Sequence, residues 1–112
     1  MQPRLTTQVD DSGAPVRCQL VVVEGPELGR AVALDSPRTV GTSSGNDLVL
    51  SDDRVSGQHL RLEPDGTGFK VKDLESTNGT WLEGARVSEA TLRPGATLKV
   101  GRTFLRVQPQ SR

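Results

Sequence analysis

The chain of 112 residues has no tyrosine, one tryptophan, two phenylalanines, one cysteine and one histidine. A single Cys cannot close an internal disulfide, and one Cys with one His falls short of the four ligands of a structural zinc site. Disulfide and structural-metal scaffolds are set aside, and neither a metal nor another cofactor is expected. An excess of charge is missing too, since 14 basic and 14 acidic side chains cancel. Phosphate backbones select proteins with surplus Lys and Arg, so no direct nucleic-acid contact is expected. No apolar run approaches the ~20 residues that span a bilayer, and residues 1–9 lack the basic-then-apolar order of a signal peptide. No membrane contact is expected, and the cytoplasm is the expected address. Helical periodicity is absent throughout.

What is present is short apolar alternation broken by Gly, Pro, Asp and Ser. The length suits one domain with a core that needs no staples. Residues 1–16 are polar, with apolar positions scattered, and read as a flexible tail. Residues 17–108 form the expected domain, and 109–112 a C-terminal tail or the start of a linker. Strand runs are predicted at 18–23, 30–34, 38–41, 47–50, 59–63, 69–72, 80–82, 97–100 and 103–107. Leu60 and Leu62 flank Arg61, Phe69 and Val71 flank Lys70, and Leu98 and Val100 flank Lys99, which places apolar side chains on one face and charges on the other. Pro64-Asp65-Gly66-Thr67-Gly68 has the residues a hairpin turn requires. The fold class expected is all-β, an antiparallel sandwich of two twisted sheets with a ligand site in the loops at one end. Cys18 is expected as a buried, inert thiol, and Trp81 as a packing residue.

Three segments between the runs are more particular than ordinary turns. They are Gly41-Thr42-Ser43-Ser44-Gly45-Asn46-Asp47-Leu48, then Asp53-Arg54-Val55-Ser56-Gly57-Gln58-His59, then Asp73-Leu74-Glu75-Ser76-Thr77-Asn78-Gly79-Thr80. Taken singly each could be a turn; their order and combination resemble the forkhead-associated (FHA) domain family. That pattern runs from a Gly-Arg, through Asn-Asp-Ile/Leu and Ser-x-x-His, to Ser-Thr-Asn-Gly-Thr, and the resemblance covers roughly residues 21–107. The segments 92–96 and 100–102 look like the family's closing strands.

The resemblance implies a non-catalytic sandwich whose loops hold a phosphothreonine peptide, with a Ser/Thr kinase upstream. A phosphothreonine carries about −1.5 to −2 charge and three strong acceptors, so donors must converge from several loops. On the family's pattern Ser56 offers a hydroxyl and a backbone N–H to phosphate, and Thr77 is a second donor. Asn78 holds the peptide backbone. Thr42, Ser43, Arg54 and Gly57 complete the expected phosphopeptide site. Gly41, Asn46, Asp47, His59 and Gly79 are its expected supports: Asn46 and Asp47 brace the first loop, His59 is a buried imidazole tying loops together, and Gly79 takes a positive-φ turn position. Ser56, His59 and Asp53 crowd too closely in the chain to serve as a nucleophile triad, so no enzyme is expected.

The chain departs from the family where cations are usual. Thr42 stands in place of the Arg of Gly-Arg, and Gly57 where Arg is frequent after the motif Ser. A hydrogen bond to a charged group contributes about 1.5–3 kcal/mol, so a missing Arg is expected to weaken phosphopeptide binding by roughly ten- to more than a hundredfold. Arg54 is the expected substitute cation. The alternative function is a degenerate FHA domain that mediates phosphorylation-independent protein contact or self-association. The stretch 73–80, with 92–95, 101–103 and the Gly-Thr substitution, looks most like the N-terminal FHA domains of bacterial sigma-54-dependent enhancer-binding transcription regulators. Thr6-Thr7-Gln8-Val9-Asp10 raises one further expectation, that a phosphorylated tail is itself a ligand of the pocket.

Overall fold

The structure, a computed structural model, describes residues 17–66 and 68–110. Among them run eleven strands and no α-helix: β1 (Cys18–Glu24), β2 (Ala31–Ala33), β3 (Arg38–Gly41), β4 (Leu48–Val49), β5 (Leu60–Asp65), β6 (Gly68–Asp73), β7 (Thr80–Leu82), β8 (Ala85–Val87), β9 (Glu89–Leu92), β10 (Thr97–Val100) and β11 (Thr103–Pro109). One sheet has the order β2-β1-β11-β10-β7-β8 and the other β4-β3-β5-β6-β9. The fold is the expected all-β sandwich of two sheets. Its pairs are antiparallel except β3 with β4, which run parallel, Val40 opposite Leu48.

Alternation builds the core. Leu20, Val22, Leu98, Val100, Leu105 and Val107 come from the six-stranded sheet, and Val40, Leu60, Leu62, Val71 and Leu92 from the other, all at most 1% exposed. Each such side chain contributes on the order of 1.5–3 kcal/mol by leaving water. Cys18 joins this cluster, and burial pushes its thiol up. The β5–β6 hairpin closes with Asp65 opposite Gly68 and Gly66 at φ +63°, while Thr67 lies outside the described residues.

Two expectations need correction, the number of strands and the place of Trp81. Strands β8 and β9 carry no alternating apolar pattern: only Leu92 among their seven residues is buried, because both are sheet edges. Strand β11 continues to Pro109 opposite Cys18, and Gln110 N–H reaches the Arg17 carbonyl. The expected flexible tail, residues 1–16, lies outside the described residues, as do 111–112. Trp81 is not packed inside but stands 36% exposed, because Thr80 and Leu82 on either side of it turn inward. Among the described residues no helix is long and apolar enough to cross a membrane.

Candidate functional site

The loops after β3, before β5 and after β6 meet at one end of the sandwich. At Gly41 a Cβ would collide with the Gly57 carbonyl oxygen and lie 2.8 Å from Asn46 Nδ2. Glycine is therefore required by space. Thr42 N–H donates to the Ser56 carbonyl and Ser43 N–H to the Gly57 carbonyl, both at 3.1 Å. Asn46 closes the seam: its Nδ2 donates to the Gly57 carbonyl at 2.6 Å and to the Ser43 carbonyl at 2.9 Å. Asp47 braces the same loop from outside, its Oδ2 accepting Thr39 N–H at 2.9 Å.

The second seam runs through His59, which has no exposed surface. Its Nδ1 accepts Ser56 N–H at 3.1 Å, which leaves the proton on Nε2 to be donated to the Gly79 carbonyl at 2.8 Å. One neutral imidazole thus fixes both loops. Ser56 Oγ then accepts Thr77 N–H at 3.0 Å, and Asn78 Nδ2 donates to the Arg54 carbonyl at 2.8 Å. The loop before β7 is also folded on itself. Asp73 Oδ1 accepts the Ser76 and Thr80 hydroxyls at 2.6 and 2.8 Å, and its Oδ2 accepts Ser76 N–H at 3.0 Å. Glu75 at φ +59° and Gly79 at φ +91° make the two left-handed turns this path needs. Against Gly79 lies Arg86 of β8, whose Nε would be 2.6 Å from a Cβ there.

The sequence reasoning missed two carboxylates that carry these loops. Asp52 is 7% exposed; its Oδ1 accepts Arg54 N–H at 2.9 Å, and its Oδ2 accepts Arg102 N–H at 2.7 Å and the Thr103 hydroxyl at 3.0 Å. It joins the Ser56 loop to the β10–β11 turn. Burial pushes this carboxyl up, and the donors at Arg54, Arg102 and Thr103 outweigh that and hold it below the ordinary aspartate range. Asp73 is lowered in the same way, burial opposing and the Ser76 and Thr80 bonds prevailing. The readable signal was spacing: Asp two residues before a backbone donor, and Asp-x-x-Ser, are local side-chain-to-backbone patterns.

Thr42, Ser43, Arg54, Ser56, Gly57, Thr77 and Asn78 are therefore brought to one end, with Gly41, Asn46, Asp47, His59 and Gly79 in the seams between them. One expected donor is not on offer, because the Ser56 N–H is held by His59 Nδ1. Ser56 keeps its hydroxyl hydrogen to donate, its oxygen already accepting from Thr77 N–H. Thr77, likewise, has its hydroxyl and not its N–H to give. The same bonds rule out a nucleophile, since His59 meets Ser56 through the backbone and both ring nitrogens are occupied. Among the described residues no three His, Cys, Asp or Glu side chains are grouped to hold a metal.

Two sheets with loops pinned from beneath at one end define a β-sandwich module. Residues 21–111 match the family model Yop-YscD_cpl, described as the inner membrane component of T3SS, cytoplasmic domain. FhaB of Mycolicibacterium smegmatis, an FHA domain-containing protein, is 42% identical over 93 residues, 81% of this chain and 60% of that one. An FHA domain of an Arabidopsis thaliana protein superposes with TM-score 0.77 at 32% identity, over 87% of this chain and 88% of that one. A domain analysed for phosphothreonine-dependent FHA interactions gives 0.76 at 29%, over 86% and 99%. The chain belongs to the forkhead-associated domain family, a family of non-enzymatic modules. It spans about three-fifths of the length of the curated relatives it matches first.

Proposed function

We propose that the loop end is a phosphothreonine-peptide site and that the module reads the product of a Ser/Thr kinase. The observation that carries this is the Thr77 N–H bond to Ser56 Oγ above the His59 clamp, which ties Ser56 to the loop that carries Thr77 and Asn78. In this reading Ser56 Oγ–H and the Thr77 hydroxyl donate to phosphate, and Asn78 Oδ1 accepts from the peptide backbone, its Nδ2 being held by Arg54. Arg54 supplies the cation, since Asp52 and Asn78 fix its backbone on both sides. Thr42 and Ser43 line the same edge with hydroxyls. The similar domain studied for phosphothreonine-dependent interactions supports the ligand class. The module comprises residues 17–108 with the last strand residue, Pro109.

The finer setting is the sensory N-terminus of a cytoplasmic bacterial transcription regulator of the sigma-54-dependent kind, supported by the Gly41-Thr42 pair and the 73–80 motif. Its ligands include the chain's own tail once Thr6 or Thr7 is phosphorylated.

The direct test is fluorescence anisotropy with a degenerate phosphothreonine peptide library beside the unphosphorylated library. Phosphate-dependent binding that falls at least tenfold in Ser56→Ala is expected. In Arg54→Ala a further loss is expected; equal affinity there would remove Arg54 from the site. Thr42 and Gly57, standing where the family has cations, favour one second reading, a module that binds an unphosphorylated surface or another copy. Equal binding of both libraries would select it.

A further inference from the structure

The two sheets differ in what they turn to solvent. On the outer face of the five-stranded sheet charges answer one another, with Arg61 Nε 3.1 Å from Glu63 and Lys70 Nζ 3.6 Å from Glu89. On the six-stranded sheet the register sets Arg86, Trp81, Lys99, Phe104 and Glu24 in one row across β8, β7, β10, β11 and β1. Directly paired residues share a face, so this is a continuous strip. A cleft of about 450 Å³ opens along it, walled by Trp81 and Phe104 and bounded by Thr97 and Glu83. The volume is in the range of built ligand sites.

The cations of this strip, Arg86 and Lys99, form no ion pair among the described residues, and neither does Arg106. Lys99 Nζ sits 5.7 Å from the Phe104 ring centre. Arg106 Nε is held by the Thr97 hydroxyl at 3.0 Å. Two acids are near: Glu83 lines the cleft, its Oε2 accepting Thr97 N–H at 2.9 Å, and Glu24 stands at the far end of the row beyond Phe104.

We propose that this cleft is a second, phosphate-independent docking site for an acidic peptide segment carrying one apolar anchor side chain. The anchor is buried between Trp81 and Phe104, where aromatic walls supply most of the area, and the flanking carboxylates meet Lys99 and Arg86. Neither half suffices alone, for an apolar plug leaves the cations unanswered and a purely acidic segment leaves the aromatics wet. Trp81 Nε1 donates to the Asn78 carbonyl at 3.2 Å, so the wall of the cleft starts where the loop end finishes. The site does not depend on the phosphothreonine reading and stands if that reading fails.

Trp81 is the sole tryptophan, so its emission reports the cleft directly. The probe is a short peptide with a central leucine flanked by glutamates, titrated into the full chain at low salt. A saturable change in emission is expected, weakened roughly tenfold by Lys99→Glu and by added salt. Phe104→Ala is expected to weaken it independently, thermal melts confirming that both variants fold. No saturable change overturns the proposal. So does an equal response to a peptide with glutamines in place of the glutamates, since charge is then not being read. Tighter binding of oligothymidylate would make the strip a nucleic-acid surface, and the same emission change on concentrating the protein alone would make it a self-association face; either result overturns the proposal.

Discussion

Between the two sheets, Leu20, Leu60, Leu62, Leu98 and Leu105 are wholly buried and hold one another by contact that has no direction. At the loop end the buried groups are His59, Asp52, Asn46 and Ser76, and what holds them is the position of single hydrogens. The two regimes meet at adjacent residues, since Leu60 points into the core while His59 pins the loops. A dispersive interior accepts changes of shape that conserve volume. A directional clamp fails when one atom is exchanged. The sandwich and the site above it should therefore respond separately to substitution.

Leu62→Ala is the largest expected effect. A buried Leu-to-Ala truncation costs about 2–5 kcal/mol, read as a lower midpoint in urea unfolding. Far-UV circular dichroism should still report a sandwich in water, with the loop bonds intact in the surviving folded fraction. Next comes His59→Phe, which keeps most of the volume and strips both bonds. Ser56 N–H and the Gly79 carbonyl are then left without partners, at about 1–3 kcal/mol. Amide exchange should accelerate at Ser56 and Thr77 but not at Leu20 or Val107. Uniform acceleration across both regions would erase the distinction between them.

Asp52→Asn is third, at about 1–2 kcal/mol, because the amide no longer accepts as a charge from Arg54, Arg102 and Thr103. Asp52 and Asp73 are both held below the ordinary aspartate value, so the sign follows directly. Their contribution is complete above about pH 4, the unfolded value, and is lost as the pH falls through their lower folded values. Unfolding free energy should decline on acidification in that window, and less steeply in Asp52→Asn. A variant with the wild-type acid slope would show that Asp52 is not part of the clamp.

How much of this was legible in the sequence divides along the same line. The alternation at Leu60–Leu62, Phe69–Val71 and Leu98–Val100 placed the core, because burial follows a period of two wherever a strand has one wet face. Strands β8 and β9 were not legible, since an edge strand with one buried residue leaves no pattern. His59 could be found through its spacing from Ser56. Asp52 and Asp73 were passed over because carboxylates usually face water. The Ser56 N–H was assigned to a ligand although the imidazole three residues on already claims it.

The smallest expected effect on stability separates the regions most sharply. Thr42 is half-buried at the rim, its backbone tied to Ser56 and its side chain free of the core. Thr42→Arg supplies a cation at the position where the family has one, without entering either the apolar interior or the His59 clamp. Surface changes of this kind move stability by no more than about 0.5 kcal/mol. The gain at the loop end is of another order. One charge-assisted bond to phosphate, about 1.5–3 kcal/mol, corresponds to roughly ten- to a hundredfold tighter phosphopeptide binding. Unchanged urea midpoints with tighter anisotropy titrations would establish that recognition is adjustable at the rim of a finished fold. A stability loss approaching that of Leu62→Ala would mean that the rim and the interior are one cooperative unit.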